Sequence, residues 1–456
     1  MIDSQELLFD VARRAAHYTS EAQKRRVAPS DEAVASLARL GGPMPHNPSD
    51  PAAIIALLDE FGSPATVIST GPRYFGFVIG GASPASLAAN WLAGAWDQNA
   101  GMVITSPVAA KIEEIAAGWM CEIFGLPSDC GVGFVTGATM ANFTGLAAAR
   151  HFLLQRAGWD VEEQGLFGGP PITVVVGNEV HVSVLKALSM LGLGRSRVKT
   201  VPADGQGRFR HDQLPPVDDR TIICIQAGNV NTGAFDPAGE ICRHAHEAGA
   251  WVHVDGAFGL WAAAAPSRAH LMQGVSDADS WATDCHKWLN VPYDSGIAFV
   301  RDAGSLRGAM MVTAAYLKTG NVEPCYHTPE ASRRARGVEV WAALRELGRL
   351  GLAEMIERNC RLARRFGDGF KKAGYRVLND VVLNQVMVSF GDADTTRRVI
   401  SEVQKDGTCW CGGTEWQGQT AMRISVSNAT TTEEDVDLSL EAITRIAQKA
   451  VLLRTT

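Results

Sequence analysis

Apolar residues keep two rhythms along this chain. Over residues 1 to about 60 they recur at helical spacing, with turns between. There Asp50-Pro51 supplies an N-cap and a proline at the first helical position, opening AAIIALLDEFG. Ser83-Pro84 and Ser106-Pro107 repeat the signal ahead of two more helices, the first predicted to run through Ala95. In the second, Ile112, Ile115, Ala116, Trp119 and Ile123 form one apolar stripe that reads as core, and Pro127 is expected to stop the helix. From residue 131 to 300 short apolar runs take over, at 131–135, 172–176, 197–201, 221–226, 251–254 and 280–283. Helical stretches separate several of them, including one that Asp236-Pro237 opens and that runs to Ala248. Short buried strands alternating with helices predict a mostly parallel sheet covered on both faces.

Beyond Val300, residues 310–337 have little periodicity and are long enough for a mobile loop or lid. A long helix follows. Strand-like VVLNQVMVSF, helix DTTRRVISEVQKDG, strand MRISVS and helix EEDVDLSLEAITRIAQ then read as a small α+β unit, with Thr431 and Glu434 fitting a capping box. The predicted organisation is a helical N-terminal segment over 1–70, a large α/β domain over 71–330, connecting helices over 331–375 and a small C-terminal α+β domain over 376–456. The N-terminal segment could wrap a partner subunit or pack on its own body; the pattern leaves both open.

Composition narrows the class. The chain has 456 residues, 46% hydrophobic and 20% charged, which is globular, and a net charge of −7, which argues against nucleic acid or a membrane surface as partner. No uninterrupted apolar run is long enough to span a bilayer, and MIDSQELLFDVARRA is neither a signal peptide nor a basic transit sequence. Nine cysteines without framework spacing point to reduced thiols and a cytoplasmic protein. Cys409 and Cys411 have no second Cys or His pair nearby, so packed or partly exposed thiols are expected there rather than a metal site.

The candidate chemistry collects at predicted strand exits, where open sheets bind ligands. Asp255 ends WVHVD, and Gly256-Ala257 lets another group approach the backbone. Lys287 follows Asp284-Cys285-His286 after a second short strand. His181 follows the strand at 172–176; a structural histidine is the alternative there. TGATMAN, at a strand-to-helix junction, exposes backbone N–H groups suited to an anion, although a plain turn explains it about as well. It is not a GxxxxGK[ST] loop, which disfavours a nucleoside triphosphate. A carboxylate and an amine at neighbouring strand ends are what pyridoxal 5'-phosphate needs: the lysine forms the Schiff base and the acid keeps the pyridine nitrogen protonated.

The ordered set DCHKWLNVPYDSG, HVDGAFG, TGATMANFTGLAAAR, NEVHVSVLKA, NVNTGAFDP and MRISVSN resembles the pyridoxal-phosphate-dependent group II amino-acid decarboxylases, from about Pro72 to the C-terminal unit. The resemblance implies the fold of the aspartate aminotransferase superfamily (fold type I), a homodimer and an L-amino acid as substrate. It makes Lys287 the Schiff-base lysine, Asp255 the partner of the pyridine nitrogen and His181 the group stacked on the ring. Ala138 and Thr139 would hold the phosphate. Ala257 would pack under the ring, and Asn229 would stand beside the cofactor, where the family often has threonine. His286 and Asp284 would stand near the phosphate. Tyr316 falls in the segment matching the family's catalytic loop, where a tyrosine is thought to return the proton to Cα and a phenylalanine marks aldehyde-forming relatives; an exposed loop aromatic is its structural alternative.

Departures from the family bear on substrate choice. Ile79-Gly80 stand where the aromatic decarboxylases carry a threonine. Asn99, Ala100 and Gly101 replace bulkier residues in a neighbouring stretch that a partner subunit could supply. Small residues suggest room for a bulky side chain and lean the reading to an aromatic amino acid, whereas Arg73 in PRYFGF resembles a glutamate decarboxylase feature. Transamination, carbon–carbon lyase chemistry or aldehyde formation on the same cofactor is the alternative activity, and a non-catalytic binding protein is a third reading that intact Lys287, Asp255 and His181 argue against.

Overall fold

The computed structural model describes residues 4–311 and 322–452. Its centre is a seven-stranded sheet of β1 (Gly131–Val135), β2 (Thr173–Gly177), β3 (Lys199–Val201), β4 (Thr221–Gln226), β5 (Trp251–Asp255), β6 (Ser280–Asp284) and β7 (Gly296–Val300), in the order β1-β7-β6-β5-β4-β2-β3. The pairings β2–β3, β2–β4, β4–β5 and β5–β6 are parallel. Only β7 runs against its neighbours β1 and β6, so the mostly parallel sheet expected from the apolar runs is present. β4, β5, β6 and β7 are buried at every position, because helices cover both faces. One face packs Val252, Val254, Trp261, Trp281 and Phe299 into the main core, and the other packs Leu146, Leu153, Val174, Val176 and Leu188.

A second sheet of four strands, β8 (Arg376–Val377), β9 (Gln385–Ser389), β10 (Gly412–Trp416) and β11 (Gln419–Ser425), is antiparallel in the order β10-β11-β9-β8. Its core joins Val386, Met422 and Ile424 to Phe366 and Phe370 of helix Gly337–Lys372. That helix is broken at Gly348, whose φ of 57° only glycine adopts freely.

Three local expectations are corrected. Helix Pro107–Phe124 ends not at Pro127 but at Gly125, which takes the left-handed C-cap at φ 67°. Asp236 does not cap the helix after it; its buried carboxylate accepts from the backbone N–H groups of Phe209 and Gln226, both at 2.7 Å, and burial pushes its pKa up to about 7. The last capping box lies one residue on: Thr432 Oγ1 accepts from Asp435 N, and Asp435 Oδ2 accepts from Thr432 N.

All nine cysteines are free thiols, and Cys409 and Cys411 are packed in the core of the smaller sheet. Among the described residues no helix is long and apolar enough to cross a membrane.

Candidate active site

Parallel strands β4, β5 and β6 end side by side, and their exits carry the chemistry. Asp255 is the last residue of β5, and Asp284 the last of β6. The turn after β6 is closed by Cys285 N on Ser295 O at 3.0 Å and by Ser295 N on His286 Nδ1 at 3.1 Å. Lys287 is thereby aimed back over the sheet. His181, Asp255, Ala257 and Lys287 line one small cleft, together with Gln226, Gly228, Val230 and Phe258. The sequence thus placed the central acid, amine and imidazole in one site.

Lys287 Nζ pairs with Asp284 Oδ2 at 2.8 Å. The other oxygen of Asp284 accepts from Ala138 N at 2.5 Å and lies 3.4 Å from His286 Nε2. Ala138 opens helix Ala138–Arg156, whose N-cap residue Gly137 brings no capping side chain; Asp284 takes the first N–H instead, at the positive pole of the helix on the edge of the cleft. Thr139 is half-buried in the same first turn. Gly137 is needed there, since a Cβ would come within 3.1 Å of the His286 ring and 3.3 Å of Asp284 Oδ1. Burial holds the His286 imidazole below its ordinary acidity range, and Tyr293 stacks on it with centroids 4.2 Å apart.

Asp255 is nearly fully buried, yet its carboxylate is well supplied with donors. Oδ1 accepts from Ala257 N at 3.2 Å, and Oδ2 faces Asn142 Nδ2 and Ser183 Oγ, each at 3.3 Å. His181 is tied to the same group: its Nδ1 accepts from Ser183 N at 3.3 Å and lies 2.7 Å from Ser183 Oγ. With Nδ1 serving as acceptor, the ring proton of the neutral imidazole is on Nε2. Burial lowers the pKa of His181, which keeps it neutral near pH 7.

Asn229 is not drawn into this cluster. Its Oδ1 accepts from Asn231 N at 2.9 Å and Thr232 N at 3.2 Å, so its amide organises its own loop. Tyr316 lies outside the described residues.

Several residues of the site carried no assigned role in the sequence reading. Asn142 and Ser183 hold Asp255, and Arg423 of β11 approaches from the smaller sheet. Arg423 is half-buried, burial lowers its pKa, and its hydrogen bond is a long one to Asn231 Oδ1 at 3.5 Å. Among the described residues it has no carboxylate partner. A signal existed for Ser183, two places after His181, and for the arginine within MRISVS, but neither spacing shows which remote group is met.

Two glycines change the reading of the pocket. A Cβ on Gly80 would lie 1.7 Å from the carbonyl oxygen of Lys287, and one on Gly101 would lie 2.0 Å from that of Ala331. Their smallness therefore serves close backbone approach, and at Gly101 the expected room is filled by chain. Arg73, the feature that suggested an acidic substrate, is paired with Asp435 Oδ1 at 3.2 Å and donates to Thr408 O at 2.8 Å.

This donor set fits pyridoxal phosphate. It offers one amine for the aldehyde, a buried and supported carboxylate for the ring nitrogen, a flat imidazole, a small residue at 257 and a helix N-terminus for the phosphate, where Asp284 takes the Ala138 N–H in this structure. Comparison with known proteins agrees. The model of the pyridoxal-dependent decarboxylase conserved domain matches residues 45–390. The aromatic-L-amino-acid decarboxylase of Bacillus atrophaeus is 26% identical over 87% of this chain and 86% of its own length. An acidic amino acid decarboxylase of Bos taurus is 29% identical over 67% of this chain and 61% of its own length. In fold, the crystal structure of Oryza sativa TDC with PLP and tryptamine superposes with a TM-score of 0.89 at 22% identity, covering 98% of both chains. The chain belongs to the pyridoxal-dependent decarboxylase family and is a pyridoxal-phosphate-dependent amino-acid carboxy-lyase.

Proposed function

We propose that the substrate is an L-amino acid with a bulky, aromatic side chain, released as the amine and CO2 from the cleft around Lys287. The observation that carries this reading is the convergence of His181, Asp255 and Lys287 in that cleft, with Arg423 nearby as a cation not committed to a carboxylate. Bound pyridoxal phosphate supplies an acceptor for the electron pair left on Cα when CO2 departs, which side chains alone do not provide. Lys287 would carry the cofactor's aldehyde, and Asp255 would hold a proton at the ring nitrogen. Ala138 and Thr139, at the helix N-terminus, would hold the phosphate, with His286 and Asp284 beside it, and Ala257 would pack against the ring. His181 presents Nε2–H, and Arg423 its guanidinium, to the substrate carboxylate. Together they would orient the substrate carboxylate for loss of CO2. Tyr316 is assigned the return of the proton to Cα, on the family resemblance.

The aromatic preference draws on a cluster of rings in the segment that leads to Gly80. Phe77, 60% exposed, lies 5.4 Å from the ring of Trp410, on which Tyr74 stacks at 5.1 Å. The segment carrying Phe77 packs through Gly80 directly on the Lys287 backbone. The pairing of Arg73 with Asp435 removes the cation that had recommended an acidic side chain. A homodimer in the cytoplasm is part of the same proposal, supported by the apolar N-terminal face and the free thiols.

The test is a visible absorbance spectrum of the purified protein before and after a panel of L-amino acids, with CO2, amine, ammonia and peroxide assayed together. We expect a cofactor band that shifts with an aromatic amino acid, equimolar CO2 and amine, and loss of both band and activity in Lys287→Ala. Ammonia and peroxide in place of the amine would replace simple decarboxylation by aldehyde formation. Full activity in Lys287→Ala would overturn the site.

A further inference from the structure

We propose that His253 is a positioning residue: through Asn142 it fixes the orientation and donor supply of the Asp255 carboxylate, and so the grip of the site on the cofactor's ring nitrogen. The inference rests on the reading that Asp255 meets that nitrogen.

The geometry is a single chain of hydrogen bonds beneath the site. Strand alternation puts Trp251, His253 and Asp255 on the same face of β5. Trp251 Nε1 donates to Ser280 Oγ at 2.9 Å, and Ser280 Oγ lies 2.8 Å from His253 Nδ1. His253 Nε2 lies 2.8 Å from Asn142 Oδ1, and Asn142 Nδ2 faces Asp255 Oδ2 at 3.3 Å and Ser183 Oγ at 3.1 Å. His253, Asn142 and Ser280 are completely buried, so no water can exchange for a missing partner.

The two ends of the chain fix every proton between them. An ionised carboxylate only accepts, so it turns the Asn142 amide nitrogen towards itself. Asn142 Oδ1 then faces His253, whose Nε2 must carry the proton. The bare Nδ1 accepts the Ser280 hydroxyl proton, and the Ser280 oxygen accepts from the indole, which only donates. One arrangement satisfies all five groups, and it delivers an amide N–H to Asp255. A chain of this kind polarises along its length in a dry setting.

The backbone is shaped around this contact. Helix Ala138–Arg156, which carries Asn142, lies directly on the imidazole. A Cβ at Gly145 of that helix would come within 2.9 Å of His253 Cε1, 3.0 Å of Nδ1 and 3.3 Å of Ser280 Cβ. The bare face at Gly145 therefore sets the distance at which Asn142 reaches both His253 and Asp255. Burial also holds the His253 imidazole neutral, consistent with its one-proton role.

The experiment compares the wild-type protein with His253→Phe, His253→Gln and Ser280→Ala, each loaded with pyridoxal phosphate or with its 1-deaza analogue, which lacks the ring nitrogen. Cofactor dissociation constants, visible spectra, kcat and KM are read, with thermal melting as the control for folding. Gln keeps a donor towards Asn142 and Phe does not. We expect His253→Phe to weaken pyridoxal phosphate binding about tenfold, the scale of one lost hydrogen bond to a charged group, and to lower kcat more than KM. His253→Gln should restore most of both, and all variants should bind the deaza analogue as the wild type does. If His253→Phe does not fold, Ser280→Ala decides: it frees Nδ1 to take the proton and should show the same selective loss. Unchanged pyridoxal phosphate binding and spectrum in the variants, or an equal loss with the deaza analogue, would overturn the proposal. Failure of the underlying reading looks different: wild type and Asp255→Ala would both bind the two cofactors alike.

Discussion

His253 carries a titration that the folded protein suppresses. Burial lowers its pKa from the usual 6.5 to about 4, against a smaller opposing pull from Asp255. Between those values the unfolded chain binds the proton and the native state does not, so stability falls as the pH falls through that window. The loss reaches about 3 kcal/mol near pH 4. Urea unfolding of wild type and His253→Gln at pH 7 and pH 4.5 checks this: the advantage of the wild type should shrink at the lower pH, and a constant gap would count against it. The same residues show what a sequence discloses at this scale. Lys287, Asp255 and His181 were legible because each ends a local pattern, a strand followed by a turn. Asn142, Ser183 and Arg423 were not, because their roles depend on groups 41 or more positions away, such as Asn142 with Ser183. His253 was half legible: its place two residues before Asp255 gives it the same face of the strand, but its partners Ser280 and Asn142 come from elsewhere in the fold.

Among the elements, the stretch that returns from residue 322 to the long helix is fastened by one buried ion pair. Arg333 Nη1 and Nη2 meet Glu113 Oε1 and Oε2 at 2.5 and 2.6 Å, tying this stretch to helix Pro107–Phe124. Ala100 N on Arg333 O at 2.9 Å and the close approach of Gly101 to Ala331 add the segment at 99–101 to the same knot. Removing one partner strands a buried charge. Arg333→Met or Glu113→Leu alone should cost about 3–5 kcal/mol, and the double substitution clearly less than the sum. Chemical denaturation of the three variants measures it, and an additive double mutant would show that the pair is not coupled. Helix starts were readable here because capping is local: Asp50, Ser83 and Ser106 each accept from the N–H two or three residues on. Asp236 looked the same in sequence, but Phe209 and Gln226 compete for its carboxylate and win. Strand β10 was missed because GGTEW has little apolar character, and only the turn at Gln417-Gly418 marks its pairing with β11.

At the scale of the whole molecule, the N-terminal helices present an imbalance that one chain does not resolve. Helices Ser4–Glu21, Asp31–Ser36 and Pro51–Gly62 bury no residue completely. Yet the last of them carries Ile54, Leu57 and Leu58, all exposed, and Leu8 and Phe9 of the first are exposed as well. A helix draws its stability in a protein from packing one apolar face, so a surface of this kind calls for a second body. Trp91, Leu92, Trp96, Ile104 and Val108, on either side of residues 99–101, are exposed as well. Clustered apolar exposure of this kind marks a surface that another body covers. A second copy of the chain fits it, because an isologous contact buries the same face on both partners. Sedimentation equilibrium should therefore give a dimer at micromolar concentration. Ile54→Glu with Leu58→Glu, far from Lys287 in sequence and outside its cleft, should shift the protein towards monomer and lower activity in parallel if the dimer completes the site. An active wild-type monomer would leave the apolar face to some other partner and would confine the catalytic residues to a single chain.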